Sequence, residues 1–92
     1  MEMMILKHDK RYNRSKDISK KIEEESEELI DALGFGNNEQ VVDEALDLIT
    51  VCLNAIYTVG HSVDLNEAVK EHQEKLKMRG WEAEKIVRFE VE

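Results

Sequence analysis

Two pairs of carboxylates, each pair spaced by three residues, are the part of this chain best suited to chemistry. Glu25 and Glu28 lie in the run Glu23-Glu24-Glu25-Ser26-Glu27-Glu28-Leu29. Glu44 and Asp47 lie in Asp43-Glu44-Ala45-Leu46-Asp47, which leads directly into an apolar stretch from Leu48 to Ile56. Side chains three residues apart share one face of a helix. Two neighbouring antiparallel helices could therefore bring all four carboxylates to one point. Such a cage repels itself unless a cation neutralises it, because crowded like charges away from water are costly. Oxygen-only ligands favour a hard ion, Mg²⁺ or Mn²⁺.

The elements that must position these groups are marked by glycine. Proline is absent, and the four glycines fall at 34, 36, 60 and 80. They divide the chain into three helices. The first is expected from Ser15 to Leu33, stopping at Gly34-Phe35-Gly36. The second begins at Asn37 or Asn38, where Asn37 and Gln40 make a capping box, and ends at Gly60. Asp64 and Glu67 suggest another capping box, opening a third helix that runs to about Met78. In the tail, Val87, Phe89 and Val91 alternate with Arg88 and Glu90, the pattern of a short strand or extended arm. Met3 to Leu6 could pair with it or form a helical turn.

Position separates these carboxylates from ordinary solvated charge. On the first helix the apolar stripe Ile18, Ile22, Leu29, Leu33 calls for an apolar residue near 25 or 26, and the chain supplies Glu25 and Ser26. On the second, nearly every residue from Ala45 to Ile56 is apolar, so most of its girth is expected to be buried. Asp43, Asp47, Thr50 and Asn54 form its polar stripe, with Glu44 beside Asp47. That stripe either lines something polar or is the helix's solvent side. Cys52, the single cysteine, reads as a small core residue, and no disulfide is possible within one chain. His72 falls on the stripe Leu65, Val69, Leu76 and reads as a core-edge histidine; His61 is a turn residue. None of His8, His61 and His72 has Glu three positions before it, which removes the Glu-x-x-His signature of a di-iron bundle. No Walker loop or zinc-type Cys/His pairing is present. Lys75, Lys77 and Arg79 either offset the third helix's dipole or, Lys75 and Arg79 foremost, reach a substrate's phosphates. Trp81 reads as a packing anchor.

Ninety-two residues make one expected domain, with its core at about residues 15–81. So short a chain buries little, which favours oligomerisation. A formal charge of −8 argues against nucleic acid as partner. It leaves room for a nucleotide, since a bound divalent cation reverses the local sign. There is no signal-peptide pattern and no membrane-spanning apolar run, so a cytoplasmic location is expected.

Taken together, Glu24-Glu25-x-x-Glu28 followed by Glu44-x-x-Asp47 resembles the signature of the MazG-like all-α nucleotide pyrophosphohydrolases. Lys21-Ile22 before it, Leu29 after it, the apolar helix after Asp47 and the basic end of the third helix are also similar to that family. The resemblance covers roughly residues 15–81. It implies a bundle completed by a second subunit, as a homodimer or homotetramer. It implies Glu25, Glu28, Glu44 and Asp47 as Mg²⁺ ligands, with Glu24 or Glu25 orienting or deprotonating the attacking water. The implied reaction is hydrolysis of a nucleoside triphosphate, ribo or deoxy, to the monophosphate and pyrophosphate. Asn54, Lys75 and Arg79 are the candidate substrate contacts. One departure is the N-terminal segment, where Tyr12 is the only aromatic residue. The reading is thus an all-α, Mg²⁺-dependent pyrophosphohydrolase: a bundle of three main helices completed by oligomerisation, with a short extended C-terminal tail. Its rival is a non-catalytic helical oligomerisation or regulatory module.

Overall fold

The computed structural model describes residues 3–4, 15–86 and 88. Within them the chain is all-α: α1 (Ser15–Phe35), α2 (Asn38–Val59), a 3₁₀ turn (Gly60–Ser62) and α3 (Leu65–Met78). No strand occurs among the described residues. Residues 81–86 and 88 form neither helix nor strand. The alternating Val87, Phe89 and Val91 lie outside the described residues, as do Ile5, Leu6, His8 and Tyr12. Among the described residues no helix is long and apolar enough to cross a membrane.

α1 runs past Gly34 and Phe35, two residues beyond the expected stop. The end is set at Gly36, whose N–H donates to Ala32 O at 2.8 Å. A Cβ at Gly36 would come within 2.8 Å of that same carbonyl oxygen, so the close approach requires glycine. Asn37 then caps α2. Its side-chain oxygen accepts from the Gln40 N–H, and its own N–H donates to Gln40 Oε1, each at 2.9 Å. Only two residues separate the helices, so α1 and α2 fold back on each other as a hairpin.

At α3 only half of the expected box forms: Asp64 accepts from the Glu67 N–H at 3.1 Å. Its C-terminus closes with Trp81 N–H donating to Leu76 O and Gly80 N–H to Lys77 O, both at 3.0 Å. This Schellman arrangement needs a left-handed residue, and Gly80 has φ +88°.

The core is the α1–α2 seam. On α1 the inward positions are Ile18, Ile22, Glu25, Leu29 and Ala32, repeating at intervals of four and three. Ala32, not Leu33, completes the stripe. Leu33 is turned away and 65% exposed. α2 faces α1 with Val41, Glu44, Ala45, Leu48, Val51 and Ala55, all half-buried. The expectation that most of α2 is buried does not hold within one chain: Val42, Leu46, Ile49 and Ile56 form a second apolar stripe, and it is exposed. One partner helix covers one stripe, and α2 carries two. Cys52, three residues after Ile49 and four before Ile56, is likewise exposed rather than buried. The same reason exposes His72, because α3 packs little and only Leu76 on it is half-buried. Trp81 caps α3 through its backbone, yet its ring is exposed, so it anchors no packing here.

Candidate metal centre

Glu25 belongs to the buried stripe of α1 and is 6% exposed, the only buried charged residue among those described. Burial of a carboxylate in a hydrophobic seam is costly without a partner. One of its oxygens, Oε1, has one in Lys21 Nζ at 3.0 Å. Oε2 is buried with no hydrogen-bond partner. On α2, Glu44 sits in the stripe facing α1, and its Oε2 is also buried and unpartnered. Glu28 and Asp47 flank these two and are exposed. Each of the four residues offers a carboxylate oxygen lying within 4.8 Å of the other three. The hairpin explains the meeting. Residues 25 and 47, like 28 and 44, are equidistant from the connection at Gly36, so antiparallel helices set them opposite one another.

The charges are felt directly. Glu28 is raised above its ordinary carboxyl value by a hydrogen bond to Glu44 that only a protonated carboxyl can donate, and then by the charge of Glu25. Asp47 is raised first by desolvation and then by the charges of Glu25 and Asp43, with Lys21 pulling the other way. Two carboxyls held towards protonation and two buried oxygens left bare are what a cation would relieve. The donor set fits a small hard ion. Ligands at ~2.1 Å from Mg²⁺ lie roughly 3 Å apart when adjacent and about 4.2 Å when opposite. The four oxygens lie within 4.8 Å of one another, a space of that scale.

Glu24 is exposed on the flank of α1, 3.8 Å from Lys21 Nζ through Oε2. Thr50 of the polar stripe is satisfied locally, donating to Leu46 O at 2.9 Å. Asn54, half-buried, lies two turns beyond Asp47 on the same side of α2. Lys75 stands in the last turn of α3 and Arg79 at its C-cap, both exposed and neither part of the carboxylate group. In the sequence Lys21 stands out only as part of the Lys21-Ile22 lead-in to the acidic motif. The spacing that could have singled it out is Lys21 with Glu24 and Glu25, three and four residues on, which places both carboxylates within an ammonium's reach on a helix.

The family described as phosphoribosyl-ATP pyrophosphohydrolase matches residues 6–76, well over half of the chain. No curated protein and no solved structure matches it.

Proposed function

The chain belongs to the phosphoribosyl-ATP pyrophosphohydrolase family, a MazG-like all-α family, and from that premise we propose that it is a Mg²⁺-dependent nucleoside triphosphate pyrophosphohydrolase. Families of this kind hydrolyse phosphoanhydride bonds. The observation that carries the finer reading is the pair of buried, unpartnered oxygens of Glu25 and Glu44 inside a group of four converging carboxylates.

In this reading Glu25, Glu28, Glu44 and Asp47 hold Mg²⁺, or Mn²⁺ in its place. Once bound, the cation would offset the polyphosphate's charge and polarise a phosphoryl oxygen. A triphosphate carries several negative charges, and four bare carboxylates would repel it. Of the two candidate bases, Glu24 and Glu25, this reading favours Glu24. It is exposed and only loosely paired with Lys21, at 3.8 Å, whereas Glu25 is buried, 3.0 Å from Lys21 and in this reading a ligand of the cation. Its carboxylate would take the proton of the attacking water as oxygen bonds to phosphorus. The α–β phosphoanhydride bond then breaks and pyrophosphate leaves with the bonding electrons. Asn54, on the flank of α2, would meet the nucleotide. Lys75 and Arg79 would act on the leaving phosphates once assembly brings α3 to the site. Residues 15–81 are taken as the core of one domain that completes itself as a homodimer or homotetramer, with the exposed stripe of α2 in the interface.

The family's name carries one triphosphate, phosphoribosyl-ATP, which belongs in a panel beside the ordinary ribo and deoxyribonucleoside triphosphates. The test is product analysis with Mg²⁺ across that panel. Monophosphate-type product plus pyrophosphate is expected. Orthophosphate as the first product, or no turnover of any triphosphate, would overturn the reading.

A further inference from the structure

The polar stripe of α2 runs on beyond the carboxylates. Asp43, Asp47, Thr50, Asn54 and Tyr57 follow one another at steps of four and three, which keeps them on one side of the helix. Tyr57 is the aromatic member, and it is 52% exposed. Asp47 and Tyr57 stand about 15 Å apart along the axis. Helical side chains lean towards the N-terminus, so a ring at position 57 is carried back over the turn that holds Asn54. That leaves roughly 10 Å of helix between the ring and the carboxylates, the scale of the span from the phosphates of a nucleotide to its base.

From the carboxylates a base could extend along the hairpin in either direction. Towards the connection at Gly36 the neighbouring side chains are the exposed acids Asp31, Glu39 and Asp43, and the ring at that end is Phe35. Towards the end of α2 they are Thr50 and Asn54, both half-buried, before Tyr57. Lys21 and Asp17, of opposite charge, stand opposite them on α1. An uncharged base and ribose leave water more readily for uncharged polar groups than for carboxylates, which hold their hydration. An amide both donates and accepts, as the edge of a base does, whereas a carboxylate only accepts.

We propose that Tyr57 is the stacking platform for the nucleobase, so that the substrate lies along α2 with its phosphates over the carboxylates and its base at Tyr57. This rests on the reading of the site as one for nucleoside triphosphates. Every base has a face that stacks on an aromatic ring. The platform therefore selects a nucleotide over a bare polyphosphate, and the choice among bases falls to hydrogen bonding by Asn54.

The experiment compares the wild-type chain with Tyr57→Ala, Tyr57→Phe and Phe35→Ala, each loaded with Mn²⁺. Affinity is measured for inorganic triphosphate, which has no base or sugar. It is also measured for the α,β-methylene analogues of the ordinary ribonucleoside triphosphates, which cannot be cleaved at that bond. The wild type should bind at least one analogue more tightly than inorganic triphosphate. Tyr57→Ala should weaken that analogue about tenfold, the equivalent of roughly 1.4 kcal/mol, and leave inorganic triphosphate unchanged. Tyr57→Phe keeps the ring and should bind as the wild type does. Phe35→Ala should change neither affinity. Equal losses of analogue and inorganic triphosphate in Tyr57→Ala would make Tyr57 a residue of the fold or of subunit packing and overturn the proposal. So would an unchanged analogue affinity in Tyr57→Ala, an equal loss in Tyr57→Phe, or a selective loss in Phe35→Ala, which puts the base at the opposite end. A wild type that binds no analogue more tightly than inorganic triphosphate would overturn it too. In all of these the metal site stands, because the wild type still binds triphosphate. A wild type that binds neither inorganic triphosphate nor any analogue with Mn²⁺ would overturn both together.

Discussion

Burial and the charges of Glu25 and Asp43 raise the Asp47 carboxyl, while a hydrogen bond to Glu44 and the charge of Glu25 raise that of Glu28. For an acid whose folded value lies above its unfolded one, the folded chain holds the extra proton. Stability of the metal-free protein should therefore fall as pH rises from the ordinary values, 3.8 for Asp47 and 4.5 for Glu28, through the raised ones. A cation needs the deprotonated forms, so the gain in melting temperature on adding Mg²⁺ should grow across the same window. Thermal melts at stepped pH, with Mg²⁺ and with chelator, measure both trends; a metal increment independent of pH would contradict the ligand assignment. Asp47→Asn removes one charge from the group and one proposed ligand. It should lower turnover by at least about 100-fold while leaving the metal-free melting temperature unchanged or higher. Full activity in that variant would remove Asp47 from the site.

The hairpin of α1 and α2 depends on two adjacent residues with different tasks. Asn37 satisfies both ends of a capping box, and Asn37→Ala should cost about 1 kcal/mol, or roughly 4–8 °C in melting temperature for a chain of this size. Gly34 and Gly36 make a sharper comparison. A Cβ at Gly34 meets nothing within 4 Å, and the residue lies inside the helix, so Gly34→Ala should stabilise by up to about 1 kcal/mol. At Gly36 the new atom would press on the Ala32 carbonyl, and Gly36→Ala should destabilise. Urea unfolding of the two variants checks the opposite signs. Because Glu44 lies two turns into α2 from this connection, damage at Gly36 should also weaken Mg²⁺ binding, whereas Gly34→Ala should leave it alone.

The molecule as a whole leaves its second apolar stripe in water: Val42, Leu46, Ile49 and Ile56 are all exposed on α2, and Ile30 and Leu33 on α1. Full burial of such a side chain from complete exposure gains about 1.5–3 kcal/mol, and these, 39–66% exposed, keep roughly half of that in reserve. That is a drive for association where few of the described residues are buried. A homodimer at least is the expected species in sedimentation at micromolar concentration, and Ile49→Glu should shift it towards monomer. A monomeric wild type would refute the assembly. Chelation should abolish turnover, and Ca²⁺ should substitute poorly, since its larger and looser coordination does not impose the compact octahedron of Mg²⁺.

Asn37 with Gln40, the Asp64 cap, the stops at Gly60 and Gly80, and the shared faces of Glu25/Glu28 and Glu44/Asp47 could all be read from the residues in order. Each depends on chemistry within about four positions along a helix, where spacing alone says which groups meet. The family pattern was legible for the same reason, as a short motif on a regular helix. Burial follows a different rule, because a side chain is covered by whatever packs across from it, however distant in sequence. Ala32 rather than Leu33 completes the α1 stripe, Cys52 and His72 are exposed, and so is the Trp81 ring, because one helix covers one face and the rest of α2 and α3 find no partner among the described residues. The engagement of Lys21 with Glu25 also came from the fold. Several carboxylates lie within its reach on the helix, and burial of Glu25 in the α1–α2 seam decides which of them most needs its charge.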